Sequence, residues 1–282
     1  MATAITIEPL GGLGNRMRAI DSALALARRV RLPLAVVWTV RSHMPARFDE
    51  LFEVPAAFAS LAQPRDPRIL RAFRLWRLRR RHMRSIDESE ASALVRAGTD
   101  FATLLDVTAT KAGAHRDGPV LVRSYERFHP SSAPFADFVP APAIGAMLAR
   151  HADELPSLVG VHIRRQDNRQ SIARSGTAAF IAAMRAELER DGAAGFFLAT
   201  DDRDEERALK AEFGARVRTH AKATLQRSDH AAALDAVVDL YCLAGCRRII
   251  GSYYSSFTDT AAAIRGIPLS VVGAEDAPAV PQ

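Results

Sequence analysis

The chain has 282 residues, of which 48% are hydrophobic and 25% are charged, and its formal net charge is +6. These values exclude a disordered or collagen-like chain and fit a globular protein with room for two domains. Cys242 and Cys246 are too few for a disulfide framework, so two partly buried thiols in a reducing compartment are expected. No secretory signal and no run of ~18 apolar residues is visible, which favours a cytoplasmic location.

The first thirty residues predict a strand, a glycine-rich turn and a helix. Ile5 and Ile7 mark a strand over 4–10, and apolar residues recur at helical spacing from Met17 onward. The turn between them, 11–15, has the sequence Gly-Gly-Leu-Gly-Asn, which lets the backbone approach a ligand near the helix N–H groups. It lacks the third glycine and the distant acid of the dinucleotide fingerprint, so a simple tight turn remains the alternative.

The rest of the first half predicts short elements and a linker. Strands are expected over 34–40, 101–107 and 119–125, and a short amphipathic helix over 47–55. The segment 129–142 is rich in proline, serine and alanine and has no periodicity. It predicts a linker between two lobes.

Residues 65–84 contain nine arginines and form the most basic region of the chain. Ile69, Phe73, Trp76 and Met83 fall on one helical stripe within it. The segment fits a solvated helix face, contact with an anionic membrane surface or acidic glycolipid, or nucleic-acid binding. Nucleic acid is disfavoured, because no recognition motif accompanies the charge.

The second half alternates strands and helices. Strands are predicted over 158–163, 195–200, 215–219, 248–251 and 268–272. Helices are predicted over 143–151, 177–190, 203–213 and 230–244, and again after the loop that begins at 252, where Ser256 and Asp259 have capping-box-like spacing. This alternation predicts a parallel, doubly wound sheet of the α/β class.

Polar groups follow three of these strands, at 162–167, 200–202 and 252–256. Ligands of open α/β sheets lie beyond the carboxyl ends of the strands, so these groups are expected to converge on a site. Arg164 supplies a guanidinium for a phosphate, and Ser255 and Ser256 add hydroxyls at a helix N-terminus, which together suit a diphosphate. An ion-pair cluster of Arg164 or Arg165 with Asp167 is the alternative.

Asp239 lies among apolar residues on the predicted helix over 230–244. A carboxylate in such surroundings needs hydrogen-bond donors, and guanine offers two adjacent ones on N1 and N2. Pairing with Arg247 or Arg248 is the alternative explanation, and Asp235, one turn earlier, is an alternative guanine reader.

Asp201 and Asp202 follow the strand over 195–200. Two carboxylates at a strand end could hold Mg²⁺ on a nucleotide diphosphate. Helix N-capping explains the same residues without a metal.

The ordered set of motifs resembles one family. The run from His162 to Asp167 (His-Ile-Arg-Arg-Gln-Asp) resembles the His-x-Arg-x-x-Asp motif of GDP-fucose-dependent fucosyltransferases. This superfamily includes the α1,2-, α1,6- and protein O-fucosyltransferases and the nodulation fucosyltransferase. The resemblance continues through residues 197–202, Asp239 and the Ser255-Ser256 loop, and the glycine-rich opening is also similar.

The resemblance implies a GT-B-like fold of two Rossmann-like, doubly wound lobes, with an acceptor-side lobe over 1–142 and a nucleotide-sugar lobe over 143–282. It implies inverting, metal-independent transfer of fucose from GDP-β-L-fucose to a glycan or lipid-linked saccharide, with no cofactor and no nucleic-acid partner. It further implies a bacterial cytoplasmic enzyme, whose arginine-rich segment could dock at the inner membrane face.

The resemblance also implies roles for individual residues. Arg164 would stabilise the departing GDP and is assigned as catalytic together with Asp167. The predicted substrate-binding residues are Gly12, Gly14, Asn15, His162, Arg165, Thr200, Asp201, Asp239, Ser252, Ser255, Ser256 and Phe257, and no metal ligand is predicted.

The acceptor base is not identified by the resemblance. The α1,6 enzymes have a glutamate where this chain has residues near Ser171 and Ile172. Glu8, Glu126 and Asp167 are the candidates. The alternative functions are a glycosyltransferase of this fold with another nucleotide sugar and a noncatalytic nucleotide-binding protein.

Overall fold

The computed structural model describes residues 1–65, 71–106, 117–166 and 169–274. The chain divides into two compact units, Met1–Ala141 (unit 1) and Pro142–Gln282 (unit 2). Each unit has a five-stranded sheet in which all strand pairs are parallel, with helices between the strands. The predicted α/β class is therefore confirmed.

Unit 1 is built around the apolar strand that opens the chain. Its strands are β1 (Ala2–Pro9), β2 (Leu34–Val37), β3 (Phe58–Ala62), β4 (Arg84–Ile86) and β5 (Gly118–Ser124), in the sheet order β3-β2-β1-β5-β4. Its helices are α1 (Leu13–Val30), α2 (Phe48–Leu51), α3 (Arg71–Arg80), α4 (Glu88–Arg96) and α5 (Phe101–Asp106). Ile5 and Ile7 of the central strand are completely buried, as a strand covered on both faces requires.

Unit 2 repeats the same design. Its strands are β6 (Leu158–Ile163), β7 (Gly195–Thr200), β8 (Val217–Arg218), β9 (Arg248–Ser252) and β10 (Leu269–Val272), in the order β10-β9-β6-β7-β8. Its helices are α6 (Pro142–Ala149), α7 (Arg169–Arg174), α8 (Thr177–Arg190), α9 (Arg203–Phe213), α10 (His230–Gly245) and α11 (Ser256–Arg265). The strand order reverses between β6 and β9, which is where ligands of such sheets bind.

The segment 101–107 is a helix where a strand was predicted. Phe101–Asp106 forms α5, and Val107 lies outside the described residues. Asp100 favours the helix, because its carboxylate accepts the N–H of Ala102 at 3.0 Å. Phe101 and Leu105 are four residues apart and both buried, so one helical face covers the core.

The segment 129–142 is not an exposed linker. Phe135 and Phe138 are buried in unit 1, with exposed fractions of 2% and 3%. The N–H of Phe135 donates to Asp21 at 2.9 Å, and the Phe138 ring lies 5.3 Å from that of Phe52. The same segment ends the helix predicted over 47–55. That helix stops at Leu51 because Phe52 pairs with Pro140 of the segment in an antiparallel bridge.

The stripe predicted in the arginine-rich segment is not a buried face. Phe73 and Trp76 of α3 are 57% and 51% exposed, and Met83 follows the end of the helix. Ile69 lies outside the described residues. In the described parts of the chain, no helix has the length and apolar character needed to cross a membrane.

The two cysteines lie one helical turn apart near the end of α10. Both are buried, and the thiol of Cys246 donates to the carbonyl of Cys242 at 3.3 Å. Burial raises the pKa of both thiols, that of Cys246 to about 12. They are therefore two apolar thiols of the core, more completely buried than the sequence indicated.

Candidate functional site

The polar groups that follow β6, β7 and β9 meet at the carboxyl edge of the unit 2 sheet. The N–H of Arg164 donates to the hydroxyl of Ser252 at 3.1 Å, and that hydroxyl donates to the carbonyl of His162 at 3.1 Å. The N–H of Arg165 donates to the Asp201 carboxylate at 2.7 Å. The three groups thus lie together, and Ser252 and Asp201 hold the loop that carries Arg164.

His162 is a neutral, firmly oriented ring. It is 6% exposed, its Nδ1 lies 2.6 Å from Oγ1 of Thr258, and its ring stacks on Phe257 at 4.8 Å. Burial lowers the pKa of His162 to about 3, and the charges of Arg164 and Lys222 act in the same direction. At neutral pH the ring can bind a ligand by hydrogen bonding and stacking without adding charge.

The two adjacent arginines have different environments. Arg165 pairs with Glu205 at 2.6 Å and lies over the ring of Phe180, so its guanidinium braces α9 against the loop. Burial lowers the pKa of Arg164, although the charge of Asp201 opposes the shift. The predicted substrate-binding role of Arg165 stays a prediction, and its observed contacts are those of a structural residue.

Arg227 is a second guanidinium in this region that the sequence did not indicate. Burial lowers the pKa of Arg227 to about 10, and the positive charge of Arg164 adds to the shift. The two guanidinium groups are therefore close enough for their charges to repel each other. Arg227 lies in the loop between β8 and α10, which has no periodicity to mark it.

The serines of the 252–256 loop begin α11. Ser255 is the N-cap residue, and Ser256 is the first residue of the helix, so the capping-box spacing of Ser256 and Asp259 was the wrong register. The side chain of Ser255 makes no capping bond, and its buried hydroxyl has no hydrogen-bond partner. A hydroxyl and N–H groups at a helix start can both donate to phosphate oxygens.

Asp239 is buried in α10 and pairs with a lysine. Its Oδ2 contacts Nζ of Lys222, and its Oδ1 has no hydrogen-bond partner. Burial raises the pKa of Asp239, and the charge of Lys222 opposes that rise. The predicted alternative pairing is wrong, because Arg247 pairs with Asp191 and Arg248 with Glu187.

Asp235 has a separate partner on the same face of α10. Its Oδ1 lies 2.9 Å from Nε2 of His220. Both residues of the pair are mostly buried. Of these two carboxylates of α10, Asp239 is the one with a buried oxygen that has no hydrogen-bond partner.

The residues at the end of β7 have structural partners. The carboxylate of Asp202 caps α9 by accepting the N–H groups of Asp204 and Glu205 at 2.7 and 3.1 Å, which confirms N-capping for this residue. The hydroxyl of Thr200 accepts the N–H of Asp202 at 3.2 Å. Among the residues that the structure describes, no three His, Cys, Asp or Glu side chains are grouped as metal ligands.

Asp167 lies outside the described residues, so its assigned catalytic role stays a prediction.

Gly12, Gly14 and Asn15 lie in unit 1, where Gly12 is the N-cap of α1. Gly11 has a φ of +77°, and a Cβ there would lie 2.7 Å from Nδ2 of Asn15. The glycine is thus needed for the turn, whatever the turn binds.

Glu8 is a poor candidate for the acceptor base. Its carboxylate is completely buried and accepts bonds from Arg123 at 2.7 Å, Arg74 at 2.5 Å and Thr39 at 2.9 Å. Burial alone would raise its pKa, but the charges of Arg123 and Arg74 bring the pKa of Glu8 down to about 2. A carboxylate this acidic takes up a proton too weakly for efficient base catalysis at neutral pH.

These features define the class of protein. Two parallel sheets with helices between the strands make this a doubly wound α/β protein, and the polar groups described above lie at the carboxyl edge beside the switch in strand order, where such sheets bind their ligands. No family model matches the sequence, and no curated protein matches it. Solved structures do match the fold.

Several of the matching structures are fucosyltransferases. NodZ alpha-1,6-fucosyltransferase soaked with GDP-fucose is 18% identical, with a TM-score of 0.60 over 93% of this chain and 92% of that chain. A mutant of Arabidopsis thaliana FUT1 in complex with GDP is 12% identical, with a TM-score of 0.59 over 96% and 70%. POFUT1 in complex with GDP-fucose is 13% identical, with a TM-score of 0.55 over 96% and 98%. The chain therefore has the GT-B-like fold of these proteins.

Proposed function

We propose that the protein transfers fucose from GDP-β-L-fucose to a glycan or glycolipid. The observation that carries the proposal is the set of groups at the carboxyl edge of the unit 2 sheet. Arg164 and the unpartnered hydroxyl of Ser255 suit a diphosphate, and the unpartnered Oδ1 of Asp239 suits a base with N–H donors. The solved structures of the same fold that contain GDP or GDP-fucose add support.

The chemistry requires stabilisation of a departing diphosphate. The acceptor oxygen forms a bond to C1 of fucose while the bond from C1 to the phosphate oxygen breaks, and its electron pair leaves with GDP. Negative charge grows on the diphosphate, so a positioned guanidinium such as Arg164 lowers the barrier. Attack on the face opposite the diphosphate inverts the anomeric centre.

The proton of the acceptor hydroxyl goes to a carboxylate. Asp167 is the candidate from the motif, and Glu126 is a second one. Glu126 accepts the hydroxyl of Ser92 at 2.6 Å, so it is already oriented. The chemistry described needs no metal, which makes retained activity in EDTA an expected result.

We propose that a polar cleft of about 500 Å³ in unit 1 binds the acceptor saccharide. The cleft lies where β4 and β5 end and α4 begins, and its lining includes Arg123, Tyr125 and Ser92. An aromatic ring beside hydroxyl and guanidinium groups matches the apolar and polar faces of a sugar. The unit 1 sheet also changes its strand order beside β5.

We also propose that α3 contacts an anionic membrane surface. Phe73 and Trp76 stack at 5.8 Å and are about half exposed, with guanidinium groups of Arg77 and Arg80 over their rings. Residues 71–86 contain seven arginines and no acid. Exposed aromatic rings among arginines are typical of a helix that lies at a membrane surface. The bases of a nucleic acid could stack on these rings only by displacing the guanidinium groups that now cover them.

The membrane proposal has a direct test. Wild-type protein should sediment with vesicles that contain anionic lipid, and Trp76→Glu should lower the bound fraction severalfold. Binding to single-stranded nucleic acid with no binding to vesicles would contradict the proposal. Val139→Glu is the control, because Val139 is also exposed in unit 1 but lies outside the basic segment.

The transfer reaction is tested with purified protein, GDP-fucose and a panel of saccharide acceptors, with and without EDTA. The expected results are a thermal shift selective for guanine nucleotides and release of GDP that depends on acceptor. Guanine-selective binding with no turnover would favour the noncatalytic alternative. Binding of GDP with turnover of a different GDP-sugar would favour another glycosyltransferase of this fold.

A further inference from the structure

Lys222 links two elements of the proposed base site. It lies in the loop between β8 and α10, and its Nζ donates to the carbonyl of Thr200 at 2.9 Å while contacting Oδ2 of Asp239. Thr200 ends β7, and Asp239 lies in the middle of α10. Both side chains of the ion pair are nearly inaccessible, with exposed fractions of 12% for Lys222 and 8% for Asp239.

The two carboxylate oxygens of Asp239 have different environments. Oδ2 contacts the ammonium group, whereas Oδ1 is buried without a hydrogen-bond partner. An unpartnered buried acceptor is costly, and a ligand that donates a hydrogen bond to Oδ1 would remove that cost. A carboxylate oxygen accepts N–H groups, which guanine presents on its N1 and N2 edge and adenine does not present at N1.

We propose that Lys222 is a specificity-determining residue for guanine, because it holds Asp239 as a carboxylate through Oδ2 and leaves Oδ1 to accept the base. The inference rests on the proposed function and goes beyond it by assigning the selectivity to a residue outside the family-like motifs. A purely structural Lys222 would stabilise the fold equally with any nucleotide or none. Selectivity between nucleotides therefore separates the two roles.

Two substitutions of Lys222 test this assignment in different ways. Lys222→Arg keeps the charge, but the guanidinium fork can bind both carboxylate oxygens and so occupy Oδ1. Lys222→Met keeps much of the side-chain volume and removes the charge, which favours protonation of Asp239. Lys210→Met is the matched control, since Lys210 is a partly exposed lysine of unit 2 that pairs with Glu206 at 2.6 Å.

The Lys222→Met variant has a pH signature that a structural role would not give. Asp239 is also influenced by His220 and Asp235, and its own charge acts on the thiol of Cys242. These groups are present in both proteins, so the difference between wild type and Lys222→Met isolates the ammonium group. GDP affinity of this variant should recover as the pH is raised and Asp239 ionises, whereas Lys222→Arg should stay weak at every pH.

The experiment measures dissociation constants of GDP, IDP and ADP by calorimetry, with thermal unfolding as the test of folding. IDP lacks the 2-amino group, so wild type should prefer GDP over IDP by about ten- to a hundredfold, as expected for hydrogen bonds to a charged group. Lys222→Arg should bring that ratio close to one, and Lys210→Met should leave it unchanged.

The outcomes distinguish the two proposals. If wild type shows no preference for GDP over ADP, the proposed donor is wrong. If wild type prefers GDP and both folded Lys222 variants keep the same ratio of GDP to IDP affinity, the role of Lys222 is overturned while the donor stands. If Lys222→Met does not fold, the ratio measured for Lys222→Arg decides.

Discussion

Thr258 and His162 are joined by a contact of 2.6 Å between Oγ1 and Nδ1, so one ring nitrogen of His162 is committed to the protein. Any hydrogen bond between the ring and a ligand is thereby left to Nε2. Thr258 itself is completely buried, and β9 lies so close that a Cβ on Gly251 would be 2.1 Å from its methyl group. The ring orientation is therefore built from the packing of α11 on β9.

Replacing Thr258 by valine should weaken nucleotide binding without disrupting the packing. Valine preserves the shape of the side chain but leaves Nδ1 of His162 without its partner, at a cost of about 1–3 kcal/mol in the free energy of unfolding. GDP affinity should fall severalfold by calorimetry, because the ring is no longer held. Thr258→Ser keeps the hydroxyl and should bind GDP nearly as wild type does. Equal GDP affinities for the two variants would contradict the positioning role.

The neutral state of His162 makes stability depend on pH. Its pKa is about 3 in the folded protein and ~6.5 when unfolded, so below pH 6.5 the unfolded chain binds a proton that the folded protein does not. The contribution of the ring is fully present above pH 6.5 and is lost, by up to ~1.4 kcal/mol per pH unit, as the pH falls towards 3.

The measurement is urea unfolding at several pH values for wild type and His162→Gln. The glutamine variant does not titrate at this position, and other histidines contribute equally to both proteins. The stability advantage of wild type should therefore shrink by about 2 kcal/mol between pH 7.5 and pH 5. A difference that is constant over this range would mean that the pKa of His162 is the same in the folded and the unfolded protein.

Arg164→Ala should lower kcat for fucosyl transfer by about 10²–10³, as for loss of one donor to a developing anion. The reason is the loss of the guanidinium that meets the departing diphosphate. Arg185→Ala provides the control, because Arg185 is 60% exposed and pairs with Glu212 on the surface of the same unit. Steady-state rates at saturating donor measure the effect, and an unchanged kcat would remove Arg164 from the reaction.

Glu8→Gln should destabilise the protein and leave the chemistry of acceptor activation intact. Removing the carboxylate takes a shared partner from the buried guanidinium of Arg123 and the partly buried one of Arg74, a loss of about 3–5 kcal/mol. At ~2–4 °C per kcal/mol, the Tm should fall by roughly 10 °C.

Glu90→Gln is the matched comparison for Glu8. Glu90 is 42% exposed and pairs with Arg84 at 3.0 Å, so its loss should change stability by less than about 1 kcal/mol. Differential scanning of both variants gives the two Tm values. A Glu8→Gln protein with a normal Tm and no transfer activity would restore Glu8 as the base.

The sequence predicted unit 2 better than unit 1, and the reason is periodicity. The helix Thr177–Arg190 and the strands Leu158–Ile163 and Gly195–Thr200 have the predicted bounds, since long helices and buried parallel strands give strong patterns. In unit 1 the sequence did not indicate β3, whose residues are mostly exposed, or β4, which has three residues. Short or mostly exposed strands lack a run of buried side chains to reveal them.

The residues of the candidate site also fall into those that the sequence could predict and those that it could not. Arg164 and Ser255 could be predicted because they follow strands, and the carboxyl ends of parallel strands meet at one edge. Lys222 and Arg227 could not be predicted, because they lie in an irregular loop whose course depends on tertiary contacts. The partner of Asp239 was likewise expected among nearby arginines, whereas it comes from 17 positions earlier in the sequence.

The two buried thiols of Cys242 and Cys246 make the exposure of α10 measurable by chemical labelling. Both are buried on α10, the helix that also carries Asp239, and their raised pKa values leave almost no thiolate at neutral pH. A thiol reagent should therefore label the native protein only as fast as α10 becomes exposed. If a guanine nucleotide binds against this helix, it should slow the labelling, so alkylation followed by mass spectrometry would report donor binding without a coupled assay.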